Sequence, residues 1–206
     1  MEVEIGVPII VVDYSNAEAL TKILEGNNVH TIESAINMLP IKGVKQEIEL
    51  IGTADASMTT KRIVVSGWFV TVRADHQGGV CTFSNPIRRT REYRSNANLP
   101  SRDEKRMGTV VTRRQSHAEL RQTKNLEYTR FFAGFSLDYW CEPVVHSHMS
   151  PFTVVLDIPH NTAAIPGSGE ISAVFTHSTD LARDVAAILD VEEWDTSYYV
   201  IGDKFT

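Results

Sequence analysis

The chain has 206 residues, 42% of them hydrophobic and 22% charged, with a formal charge of −6. This is the composition of a soluble globular protein with room for one large domain, or one domain and a small lobe. No apolar run approaches the roughly 18–20 residues of a membrane span, and the negative charge argues against nucleic acid as the main partner. The acidic opening Met1-Glu2-Val3-Glu4 carries no signal or transit pattern. Cys81 and Cys141 form no C-x-x-C pair, which fits a reducing cytosol.

In chain order, the apolar run Pro8–Val12 reads as a parallel-sheet strand, and Asp13-Tyr14-Ser15-Asn16 as the turn after it. Ala17, Leu20, Ile23 and Leu24 stand at helical spacing, with Asn16 as the cap and Gly26 near the stop. Residues 29–32 predict a second strand, 46–56 a helix carrying Ile48, Leu50, Ile51 and Ala54, and 62–66 a third strand. Alternating strands and helices with short turns imply a parallel sheet with right-handed crossovers. Residues 1–69 therefore read like the later part of a nucleotide-binding α/β domain. The strand and G-x-G-x-x-G turn that would come first are not in the sequence.

From 71 to 112 the periodicity stops, and the stretch is predicted to be the least ordered internal segment. Between Arg88 and Arg114 the local charge is +6, so the remainder carries −12. Tyr93 is the single aromatic there and no helical stripe organises the arginines, so a solvated loop is favoured over a nucleic-acid patch. Pattern returns with a helix over 113–123 and strands over 126–131 and 152–158. A turn at 165–169, a strand over 171–175, a helix over 181–189 and a late strand over 197–201 complete the chain. Cys141, His146, His148 and His160 lack zinc spacing and read as loop residues, so no metal is expected. Ser116-His117 sits on no nucleophile elbow.

Several motifs together resemble a known family. Asp13-Tyr14-Ser15 after a β-run, Ile32-Glu33-Ser34-Ala35, Thr60-Lys61-Arg62-Ile63, Leu126–Phe131 and Gly134–Tyr139 look like the NmrA-like, isoflavone-reductase-type oxidoreductases. Ala163–Gly167, Val174–His177 and Tyr199–Lys204 are similar as well, so the likeness covers about 5–69 and 113–206. The resemblance implies an NAD(P)-binding Rossmann domain with a small C-terminal substrate lobe. It also implies an NADP-dependent reductase of small aromatic or secondary metabolites in the cytoplasm, or a non-catalytic, cofactor-sensing regulator. On it the fold class is α/β: a partial Rossmann-type parallel sheet lacking its first two strands, with a C-terminal α+β lobe. The divisions are 1–70, 71–112 and 113–206.

Position by position, the resemblance implies cofactor contacts at Asp13, Ser34, Ala35 and Ser66, and substrate contacts at Phe132, Gly134 and Phe135. For Asp13 the alternative of a simple turn cap weighs equally, for Ser34-Ala35 that of an ordinary helix-entry turn nearly so, and aromatics such as Phe132 and Phe135 are more often core than ligand contacts. Ala133 stands where relatives carry asparagine, and Val65 and Gly67 replace a proline and an acid around Ser66. The family's lysine matches Arg113 or Arg114, and arginine holds its charge too firmly for general acid–base work. No catalytic residue is assigned.

The family strand order places the two lacking strands inside the sheet, between the strand at 9–12 and that at 29–32. Those two must then pair directly, or the first stays an unpaired edge. A truncated product, or a gene model with its middle read through an intron or in another frame, would account for both anomalies. Three readings stay open: an NAD(P)H-dependent oxidoreductase, a regulator keeping the fold, and a non-functional fragment. Binding of NADPH by these 206 residues is expected to be feeble.

Overall fold

The computed structural model describes residues 6–37, 41–66, 115–141, 144–149, 152–153, 156–164, 170 and 173–205, with backbone alone at 41–44. They form two compact units, one from 6–66 with 115–128, the other from 129–205. The stretches at 71–112 and 165–169, Arg113, Arg114 and Gly67-Trp68 lie outside the described residues.

In the first unit, helix α1 (Ala17–Gly26) starts where the sequence places it: the Asn16 side chain accepts the Ala19 N–H at 3.0 Å. It buries Leu20 and Leu24, and just beyond its end Asn28 adopts φ +50°. Strand β1 (Thr31–Glu33) leads to helix α2 (Ile41–Ala56), which begins five residues before the expected 46, then to β2 (Arg62–Val64). A helical stretch over 115–120 precedes β3 (Glu127–Thr129). The sheet order is β1-β2-β3, with β1 and β2 parallel and Ile32 opposite Ile63. Leu20, Leu50, Ile51, Ala54, Ile63, Val65, Leu120 and Leu126 form the core. Arg62 pairs with Glu127 at 2.7 Å, half-buried, tying β2 to β3.

The run at 8–12 forms no strand, contrary to the sequence reading. A buried parallel strand needs a ladder partner. β1 is hydrogen-bonded to β2 and stands at the end of the described sheet, and residues 7–13 add no ladder to it. Only Val12 packs on the core, while Val11 is 91% exposed. Val11→Lys is therefore expected to leave the melting temperature within about 2 °C, since an exposed site off any core changes stability by about 0.5 kcal/mol or less. A loss above about 2 kcal/mol would restore the buried strand.

In the second unit the expected strand at 126–131 is split at Arg130. Beyond it, β4 (Phe131–Phe132) pairs in parallel with β9 (Tyr198–Tyr199), and the Tyr198 N–H donates to the Arg130 carbonyl. β5 (Phe135–Ser136) runs parallel to β8 (Ala173–Thr176), and β10 (Asp203–Phe205) lies antiparallel on the other side of β8. β6 (Leu156–Asp157) and β7 (Thr162–Ala163) make an antiparallel pair. Helix α3 (Asp138–Cys141) is one turn long, and α4 (Ser178–Leu189) buries Leu181, Val185 and Ile188. The His177 imidazole caps α4 by accepting the Thr179 N–H. The architecture is mixed α/β with parallel pairing in both units. No helix among the described residues is long and apolar enough to cross a membrane.

Candidate functional site

At the C-terminal end of β1 a cavity of about 440 Å³ opens beside α1. Ligands of parallel α/β sheets bind at the carboxyl ends of strands, and this volume falls in the usual range of small-molecule pockets. Val12, Leu20, Leu24, Ile32, Ile36 and Leu50 make its walls apolar, and Tyr14, Glu33, Ser34 and Ala35 complete it. Burial pushes the Glu33 carboxyl above its ordinary pKa.

The sequence-derived cofactor residues converge here in part. Ser34 and Ala35 line the cavity directly. Asp13 lies between the lining residues Val12 and Tyr14, but its carboxylate accepts the Ser15 hydroxyl at 2.7 Å and the Ser15 N–H at 2.9 Å. Those bonds hold its pKa below the ordinary value and show it building its own turn. Ser66 is buried, its hydroxyl donating to the Ile36 carbonyl at 2.7 Å. It thus acts on the pocket loop from behind.

One residue of this site was not picked out by the motifs. Glu47 is fully buried; one carboxyl oxygen accepts the Ser66 N–H at 2.9 Å and the other the Ser34 hydroxyl at 3.1 Å. Burial pushes its pKa up, against the pull of those two bonds. The signal was present: Glu47 shares helix spacing with Leu50, Ile51 and Ala54, and an acid on an apolar face needs a reason.

The expected substrate residues lie in the second unit. Phe132 stacks on Tyr199 with ring centroids 5.1 Å apart, and Phe135 on Phe175 at 5.7 Å. The Arg130 guanidinium lies 5.6 Å from the Phe132 ring centre. Gly134 joins β4 to β5 at φ +71°. Ala133 is fully buried. His146 and His148 touch edge to face, and His160 pairs with Asp157. Among the described residues no three His, Cys, Asp or Glu side chains are placed to hold a metal ion.

No family model matches the chain. It is 29% identical over 199 residues to oxidoreductase BOA1 of Botryotinia fuckeliana, covering 97% of this chain and 57% of that protein. It is 28% identical over 206 residues to oxidoreductase swnN of Metarhizium robertsii, covering 94% of this chain and 55% of the relative. Leucoanthocyanidin reductase from Vitis vinifera, solved as a ternary complex, superposes with a TM-score of 0.58 at 17% identity, over 92% of this chain and 52% of that one. The chain thus spans about half the length of the relatives it matches. The resemblance to NmrA-like, isoflavone-reductase-type oxidoreductases is borne out: this chain is a homologue of fungal oxidoreductases and shares its fold with a plant reductase.

Proposed function

We propose that the chain is an NAD(P)H-dependent oxidoreductase of the NmrA-like, isoflavone-reductase type, acting in the cytosol on a small aromatic or secondary metabolite. The fold part of this reading is a partial Rossmann-type sheet, formed by the first unit, with a C-terminal substrate lobe. The observation that carries the proposal is the cavity at the carboxyl end of β1, where Tyr14, Ser34 and Ala35 meet. Apolar walls, one aromatic ring and the Glu33 carboxylate suit the flat, amine-bearing adenine end of a dinucleotide. Small Ala35 allows the backbone to come close to it.

The pyrophosphate fits less well. None of the described lining residues is Lys or Arg, Glu33 is acidic, and the sequence holds no G-x-G-x-x-G turn to supply backbone N–H donors. We therefore expect weak binding of NADPH, with a dissociation constant above about 100 μM, and an affinity within about tenfold of adenosine's. NMR titration checks both points. NADPH and adenosine should each perturb amides at 12–14 and 33–36. Silence of those amides at millimolar ligand would sink the cofactor reading, and a micromolar dissociation constant would show that a phosphate site exists elsewhere.

The second reading, a non-catalytic cofactor-sensing regulator, is favoured by Ala133, a buried methyl at the position where the family resemblance implies an amide. NADPH binding without oxidation in the presence of a broad panel of aromatic ketones and enones would select it.

A further inference from the structure

We propose that Glu47 is the positioning residue of this site, its carboxyl setting the two loops that follow β1 and β2 against each other. The consequence for cofactor binding rests on the function proposed above; the geometry does not. Among the described residues, four hydrogen bonds tie these loops to each other, to β2 or to Glu47. The Ser34 N–H continues the ladder to the Val64 carbonyl at 2.8 Å, and the Ser66 hydroxyl donates to the Ile36 carbonyl at 2.7 Å. The other two both end on Glu47: the Ser34 hydroxyl at 3.1 Å on one oxygen and the Ser66 N–H at 2.9 Å on the other. One carboxyl therefore fixes a side chain of the first loop and a main-chain group of the second. Ser34 and Ala35 of the first loop line the cavity, so the shape of that wall depends on the span between the two oxygens.

The fold alone gives no reason for an acid here. Its neighbours on the helix face, Leu50, Ile51 and Ala54, are buried apolar core, and a carboxyl group placed among them is costly unless it is hydrogen-bonded. An aliphatic side chain would fill the space but leave the Ser66 N–H without its acceptor. The acid is therefore explained by what it holds. It also commits the Ser34 proton inward, while the same oxygen accepts the Ile36 N–H at 3.5 Å.

The test compares wild type with Glu47→Leu, Glu47→Gln and Ser34→Ala by amide hydrogen exchange, with NADPH titrations in parallel. Glu47→Leu should speed exchange at 34–36 and at Ser66 by about tenfold or more while α1 and 50–56 keep their protection. Glu47→Gln should stay within about threefold of wild type, because its amide oxygen accepts the Ser66 N–H and its amide nitrogen donates to the Ser34 oxygen. Ser34→Ala should loosen 34–36 and spare Ser66; it carries the test if Glu47→Leu does not fold. Unchanged loops, or exchange raised equally through α1 and 50–56, would overturn the positioning role. Loosened loops in a protein whose amides ignore NADPH would sustain that role and sink the cofactor reading. Intact loops in Glu47→Leu with wild-type NADPH perturbations would do the reverse.

Discussion

Replacing Asp138 by alanine is expected to lower stability by about 3–5 kcal/mol, a fall in melting temperature of about 10 °C. Its carboxylate lies at the N-terminus of α4, with the side chain fully buried. One oxygen accepts the Ser136 hydroxyl at 2.7 Å and the Ser178 N–H at 2.8 Å. The other accepts the hydroxyls of Ser147 and Ser178, each at 2.5 Å. Alanine would take the carboxylate from all four donors, leaving only Ser136 a second acceptor in the Met149 sulfur at 3.3 Å, and remove a negative charge from a helix N-terminus, where it is favourable. Asparagine should cost only about 1–2 kcal/mol, because its amide nitrogen can donate to Ser147 and Ser178 once those hydroxyls turn. Part of that cost falls on His177. Its Nδ1 accepts from Thr179, so Nε2 carries the proton and faces the nearer Asp138 oxygen at 3.6 Å. Equal losses for alanine and asparagine would mean that the donors do not depend on this acceptor.

The same carboxylate gives a pH signature. Burial alone would raise its pKa, but the bonds from Ser147, Ser178 and Ser136 and from the Ser178 N–H hold it well below the ordinary 3.8. A depressed folded value means that the unfolded chain binds the proton more readily. The stabilisation is then complete above the unfolded pKa and is lost as the pH falls below it. Glu47 works in the opposite sense: its raised folded value gives a contribution present below its ordinary 4.5 and lost as the pH rises through the folded pKa. Melts between pH 6 and pH 2.5 separate them. Asp138→Asn should flatten the acid limb below about pH 4, whereas Glu47→Gln should remove a loss that sets in above about pH 4.5. An acid limb unchanged in Asp138→Asn would assign it to other carboxylates.

The sequence made the first unit legible where its signals are local. Asn16 caps α1 with its own side chain, and Leu20, Leu24, Leu50 and Ile51 show helical spacing, so both helices and the strand between them could be read without tertiary information. The failure at 8–12 has a physical cause: an apolar β-branched run announces a strand, but a strand exists only with a partner, and pairing is not written in the run itself. The split at Arg130 has the same origin, since Leu126–Phe131 is one continuous run in the sequence but its two ends pair with different neighbours. At the candidate site, Ser34 and Ala35 were visible through motif resemblance. Glu47 was not, because its meaning lies in two partners 13 and 19 residues away. Asp138 belongs to the Gly134–Tyr139 motif, yet its four donors come from three separate stretches, so its role appears only on folding.

Gly134 tests how far a motif can be read as a binding residue. The resemblance places it in a substrate cleft, yet the chain needs a glycine there for its own reasons. It turns the chain from β4, paired to β9, into β5, paired to β8, and does so at φ +71°. A Cβ added at this point would lie 2.3 Å from the Val174 carbonyl oxygen and 2.9 Å from its carbon, both main-chain atoms of β8. Relief would require moving a paired strand. Gly134→Ala should therefore cost about 3–5 kcal/mol, from left-handed backbone strain and overpacking together, and lower the melting temperature by about 10 °C. Gly52→Ala supplies the control. That position is helical with open space around its Cβ, so the substitution should stabilise by up to about 1 kcal/mol. Thermal melts of the two variants decide the matter. If Gly134→Ala melts with wild type, β8 yields easily there, and the glycine is not required by packing. If it melts as expected, this glycine serves the fold first. Any substrate contact would then have to come from the exposed faces of Phe132 and Phe135, half-buried in their aromatic pairs on either side of it.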